Sequence, residues 1–192
     1  MTLDDFWKTI DQTRQASGKL TDMPTRLIDI LAQMEEREII DYAEHFRSCL
    51  HLAYDANLWL GAVVIFNGCG DDKFSDFRCW LIAQGRETFE AALADPDSMA
   101  GLEKFDGDHG YPILFGMGSV AQKAFCRRAT GDERDSAAEA RFEELFPFRK
   151  RPPLKNEKLI NKSEDEAGSM LPRLAARFPK PKYKSCFDED VA

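Results

Sequence analysis

Asp71, Asp72, Asp76 and Arg78 fall within eight positions of one another in the stretch NGCGDDKFSDFRCWLIAQG, residues 67–85. Carboxylates beside an arginine can act as an acid/base pair, hold a cation or orient an anionic substrate. The same residues also fit the start of a buried helix. Asn67, Gly68 and Gly70 form a turn, Asp71 suits the N-cap, and Asp72 sits in the first turn, where the positive helix end favours it. Phe74, Phe77, Trp80 and Leu81 then form an inward face, and Gly85 suits the left-handed residue that closes a helix. Adjacent acids at a helix start point in different directions, so capping is preferred over shared chemistry for Asp71 and Asp72. Arg78 lies along the apolar stripe, four residues after Phe74 and three before Leu81, and a buried guanidinium needs a partner. An ion pair with a nearby aspartate is expected. These four residues are the candidate polar cluster, structural or functional.

Other residues with the right chemistry fail on spacing. His45 and Cys49 are one helical turn apart, with Asp41 a turn earlier, but a third strong metal ligand is missing from the local sequence. The segment DGDHG, Asp106 to Gly110, resembles the start of a calcium loop, yet its glycine falls one place early and the twelfth position is Met117. No nucleophile elbow, P-loop, dinucleotide fingerprint or H-E-x-x-H pattern occurs, and GMGSVA, Gly116 to Ala121, is a weak glycine pattern for a phosphate. Three histidines lack an evident acid partner in sequence. No catalytic residue, cofactor or metal is therefore expected.

The elements that position the cluster read as helices. Thr2 caps a first helix with Asp4 and Asp5 in its first turn and Leu3, Phe6, Trp7 and Ile10 on one face. Gly18 ends it, and a short helix follows Pro24 with Leu27, Ile28 and Leu31 as its apolar edge. From Glu35 a long helix carries Ile39, Ala43, Phe46, Leu50, Ala53 and Asn57 at alternating steps of four and three. LWLGAVVIF, residues 58–66, loses any polar face and could be a buried strand or helix; helix is preferred because no second strand exists to pair with it. RETFEAALA continues as helix, and DPDSMAGLEKF repeats the start grammar with Asp95 as cap and Pro96 in the first turn. DGDHGYP is a loop, followed by helices over Phe115–Ala129 and Glu133–Phe146. After Phe146 the sequence turns proline-rich and charged, which reads as an extended arm. Ser169–Phe178 is a last apolar patch, a short docking segment before a mobile tail. The expectation is an all-α fold of about seven to eight helices in one compact domain, residues 1–146, with a basic, Pro-rich C-terminal arm, residues 147–192.

Composition narrows the function classes. A chain of 192 residues can bury one sizeable core. Its five cysteines, Cys49, Cys69, Cys79, Cys126 and Cys186, are odd in number and without C-x-x-C spacing, so they read as reduced thiols. The start is acidic and amphipathic rather than a secretion signal, and the nine-residue apolar run is about half of the ~20 residues a membrane span requires. A soluble cytoplasmic protein without membrane contact is expected. The net charge of −8 argues against general nucleic-acid affinity. It is unevenly spread: Arg149–Lys184 has eleven Lys/Arg against four Asp/Glu, leaving −12 on residues 1–148.

The block from Asn67 to Ala100 resembles the hallmark of a bacterial family known only as a domain of unknown function. Its members read Gly-Cys-Ser-Asp-Asp, then Phe, Phe-Arg, Trp-Leu-Ile, Gly-(Arg) and Pro-Asp-Ser. FWKTID near the start and LWLGAVVIFNGC are also similar, so the resemblance covers roughly residues 1–125. Gly70 stands where a serine is usual. The family brings no activity with it, and its small acidic format is similar to that of toxin-neutralising immunity proteins.

Three function classes follow. The preferred one is a non-catalytic protein-binding module, an immunity or antitoxin-like inhibitor of a basic bacterial toxin, because an acidic surface complements a basic partner. The alternatives are an enzyme using carboxylates and Arg78 in a helical cleft, and a regulatory module that contacts nucleic acid through the arm, Arg149 to Lys184.

Overall fold

A computed structural model describes residues 1–179, and the segment expected as a tail lies from residue 180 onward outside the described residues. Ten α-helices occur among the described residues: α1 Leu3–Ala16, α2 Met23–Leu31, α3 Glu36–Leu52, α4 Ala56–Phe66, α5 Asp71–Ala83, α6 Arg86–Ala94, α7 Val120–Thr130, α8 Ser136–Leu145, α9 Glu164–Met170 and α10 Pro172–Arg177. The fold is all-α; the described residues form no strand, and one isolated bridge pairs Asp55 with Lys155.

Local chemistry explains most boundaries. Thr2 and Asp5 form a reciprocal capping box on α1, Glu35 and Glu38 do the same for α3, and the Asp55 carboxylate caps α4 by accepting from Asn57 N–H at 2.8 Å. Phe6, Ile10, Leu27, Leu31, Ile39 and Tyr42 from α1, α2 and α3 are buried together with Phe74, Phe77 and Trp80 from α5. The helix expected from Phe115 starts later, at Val120. Gly116 adopts a left-handed conformation and Met117–Ser119 makes a single 3₁₀ turn first.

The apolar run that lacked a polar face is α4, and both of its sides are covered. Trp59 stacks on Phe74 of α5 with ring centroids 4.4 Å apart. The opposite side is covered by α9 and α10, which bury Ala167 and Leu174. Gly61 permits this approach, since a Cβ there would lie 3.0 Å from Met99 Cε and 3.7 Å from Leu174 Cδ1. The short docking segment expected at Ser169–Phe178 is thus part of a helical pair lying across α4. Behind it, Phe178 meets Phe105 edge-on at 4.8 Å, and Phe105 stacks on Trp80 at 5.6 Å.

Candidate functional site

Helix α5 begins one residue earlier than its side chains suggest. Gly70 is the N-cap, in an extended conformation, and Asp71 is already helical. The cap expected of Asp71 is therefore not made; its carboxylate instead binds Arg151 at 3.1 Å. Asp72 is also in the first turn, where the helix dipole favours it, and is exposed.

Arg78 is buried, at 4 % exposure, as its place on the stripe predicts. The expected carboxylate partner is absent: no ion pair to Arg78 forms among the described residues. Its Nη1 donates to the Leu50 carbonyl at 3.0 Å and its Nε to the Phe74 carbonyl at 3.4 Å. The reason is directional. The aspartates leave the first turns of α5 outward, while Arg78 faces the last turn of α3, at the negative end of its dipole, where the Cys49 and His51 carbonyls accept from Ala53 and Tyr54 N–H and the Leu50 carbonyl accepts from Arg78. The guanidinium packs 4.9 Å from the Phe74 ring and 5.1 Å from Tyr54, and Arg151 lies 4.1 Å from the same Tyr54 ring. Burial lowers the proton affinity of Arg78, and the neighbouring Arg151 adds to the effect.

Asp76, half-buried on the outer side of α5, gathers a different set of neighbours. Its backbone carbonyl accepts from Leu114 N–H at 3.4 Å, which joins the loop 105–116 to the helix. In that loop Asp108 accepts from Phe115 N–H at 2.6 Å, and His109 holds a left-handed backbone with φ 56°. Gly107 makes the tight course possible, because a Cβ there would fall 2.3 Å and 2.4 Å from the Tyr111 and Ile113 carbonyl oxygens. Burial pushes the Asp76 carboxyl above its ordinary value, and repulsion from Asp72 and Asp108 pushes it further. No ion pair to Asp72, Asp76 or Asp108 forms among the described residues. Beside this acidic trio, Tyr111 is 57 % exposed and Phe115 46 % exposed. The Tyr111 ring lies 6.3 Å from Phe66, which anchors its base to α4.

The four residues of the candidate cluster thus divide three ways. Asp71 pairs with the C-terminal segment, Arg78 serves the α3 end, and Asp72 and Asp76 join Asp108. Sequence reasoning treated Asp108, Tyr111 and Phe115 as parts of a loop and a helix; the proximity of that loop to α5 leaves no periodic signal. The other residues of metal-ligand type are spread over separate contacts. Asp41 binds the N-terminal amine at 2.5 Å and Arg37 at 3.1 Å, His45 Nε2 meets the Met1 carbonyl at 3.2 Å, and burial pushes the Cys49 thiol up to about 12.

A family model described as a protein of unknown function, DUF4240, matches residues 1–127. The chain belongs to the DUF4240 family. No curated protein matches it, and no solved structure does. The DUF4240 match takes in α1–α6, the acidic trio and most of α7, and it stops before α8. Several cations beyond it reach back onto its acids: Arg151 to Asp71, Arg173 to Asp95 at 2.5 Å and to Asp97 at 3.1 Å. No helix among the described residues is long and apolar enough to cross a membrane.

Proposed function

We propose that this DUF4240 protein is a non-catalytic protein-binding module whose partner is basic, in the manner of an immunity or antitoxin-like inhibitor. One observation carries the reading. Asp72, Asp76 and Asp108 concentrate negative charge without an ion-pair partner among the described residues, next to two solvent-facing aromatic rings. Unneutralised carboxylates supply steering toward a basic surface, and Tyr111 and Phe115 supply the apolar anchors that sustain a complex. The −12 on residues 1–148 extends the same field.

The alternatives fit the geometry less well. The carboxylate and arginine cleft imagined for an enzyme would need Arg78 facing Asp72 or Asp76, and its guanidinium is turned to the Leu50 carbonyl instead. The nucleic-acid reading needs free cations on the arm. In its described part Arg149, Arg151 and Arg173 are engaged by Glu44, Asp71 and Asp95/Asp97, Arg177 by backbone carbonyls, and Lys162 by Glu166, which leaves Lys150, Lys155 and Lys158 as its exposed cations without an ion pair among the described residues.

The test is affinity capture from a lysate of the source organism with the full chain and with an Asp72→Lys/Asp76→Lys variant of it. A basic protein retained by the parent and lost by the variant supports the proposal. Arm-dependent retardation of DNA or RNA by the free chain at low salt would overturn it in favour of the nucleic-acid module.

A further inference from the structure

Away from the acidic trio, a cavity of about 290 Å³ opens between α3, α7 and α8. Its walls are Tyr42, Phe46, Leu50, Met117, Phe142 and Phe146. That volume falls just below the usual range of ligand pockets, about 300 to 1,000 Å³, which are mostly apolar with a few placed polar groups, so it suits only a small molecule. The rings are held in a fixed frame: Tyr42 stacks with Phe46 at 6.2 Å, and Phe142 lies 5.5 Å from both Phe125 and Phe146.

Arg47 is the cation of this cavity. Its guanidinium lies 3.8 Å from the Phe146 ring, donates to the Pro147 carbonyl at 2.8 Å and meets Glu44 at 2.5 Å. A guanidinium has five N–H donors, so these two hydrogen bonds leave others to spare. Glu44 is also shared with Arg149 at 3.1 Å. Two guanidiniums on one carboxylate leave a net positive charge at this edge of an otherwise acidic body. Nearby His51 registers that field: burial lowers its proton affinity, and Arg47, Arg78 and Arg149 lower it further.

We propose that this cavity binds a small amphipathic carboxylate, its alkyl or aryl body among the rings of α3, α7 and α8 and its carboxylate on Arg47. An apolar body removes water from the rings, while the charge-assisted contact with Arg47 selects an acid over a neutral molecule of the same shape. The site is separate from the acidic trio and does not depend on a protein partner.

The experiment is calorimetric titration of the full chain with octanoate, and with 1-octanol as the neutral counterpart. Saturable one-to-one binding of octanoate is expected, about tenfold or more weaker for 1-octanol and for the Arg47→Gln variant, as a hydrogen bond to a charged group implies. Because Arg47 also holds Pro147, a second variant is needed. Gly118 lines the cavity, and a Cβ built there meets nothing within 4 Å. Gly118→Leu should therefore melt with the parent and lose octanoate. Absence of saturable octanoate binding, equal affinity for 1-octanol, or undiminished binding by a folded Gly118→Leu chain would overturn the proposal. So would attachment to phosphatidylglycerol vesicles without saturable octanoate binding.

Discussion

Asp97 caps a helix that begins far along the chain: its carboxylate accepts from the N–H of Leu174 at 2.8 Å and of Arg173 at 3.1 Å, the first of these across 77 positions. It also receives Arg173 Nε at 3.1 Å, so one buried acid satisfies two orphan donors of α10 and its guanidinium. Asp97→Ala should cost about 1–3 kcal/mol, the range for a lost cap that leaves buried donors unpaired. Urea unfolding measures the cost. Amide exchange over residues 172–177 should quicken more than over α5. Equal protection in both variants would mean that Leu174 burial alone holds α10.

The same carboxyl makes a pH prediction. Burial alone would raise its pKa, but the N–H groups of Leu174 and Arg173 and the Arg173 guanidinium more than offset this and hold it below its ordinary 3.8. A lowered folded pKa gives stability that is present above the ordinary value and lost as pH falls through the folded one. Thermal melts from pH 5 downward should therefore fall more steeply for the parent than for Asp97→Asn. Parallel curves would show that the charge on Asp97 does not contribute.

The helices were legible because their evidence is periodic and local. The run at α4 could be assigned to helix from the lack of a partner strand, but its missing polar face had a cause far away in α9 and α10. Arg78 shows the same limit. Its burial follows from its place between Phe74 and Leu81, whereas its partner is the Leu50 carbonyl, and a backbone acceptor at a helix end leaves no mark on side-chain patterns. The start of α5 lies one residue before the position its acids indicate because Gly70, without a side chain, takes the N-cap. The neighbourhood of Asp76 was illegible because Asp108 reaches it through a loop whose course depends on Gly107.

Trp80 is fully buried, and its indole N–H donates to the Asp106 carbonyl at 2.7 Å. Trp80→Ala should cost about 3–5 kcal/mol from lost burial and the cavity left behind. Trp80→Phe keeps a ring near Phe77 and Phe105 but orphans that carbonyl, so it should cost less, nearer 1–3 kcal/mol. Denaturant midpoints rank the two. A Trp80→Ala chain that melts with the parent would remove Trp80 from the core.

For Arg78 the two possible partners predict different costs. Breaking a buried ion pair would cost about 3–5 kcal/mol because a charge is stranded. Here the acceptors are carbonyls: Phe74 is in the interior of α5 and keeps its helical bond, and Leu50 lies in the last turn of α3. Arg78→Met, similar in length and apolar, should therefore cost about 1–2 kcal/mol, much of it the Leu50 acceptor left without a donor. A loss of the larger size in equilibrium unfolding would point to a carboxylate partner that these contacts do not include.

Asp76 separates fold from function most sharply. Burial and the nearby Asp72 and Asp108 raise its pKa above 3.8, so its charged form works against the fold. For a raised pKa the favourable situation is fully present below the ordinary value and is lost as pH rises through the folded one. Asp76→Asn should accordingly melt above the parent at pH 7 and converge with it in acid. A basic partner reverses the balance, because its cations favour ionised Asp76. Association should therefore slow as pH falls through the Asp76 range, and it should slow as salt rises, since a Debye length of about 10 Å at 0.1 M screens steering between exposed charges. Stopped-flow rates with the captured partner test both. The decisive result is the pairing of signs: Asp76→Asn should stabilise the free chain yet lower the on-rate. A variant that destabilises the chain while binding at the parental rate would make Asp76 a structural residue and remove the acidic trio as the docking surface.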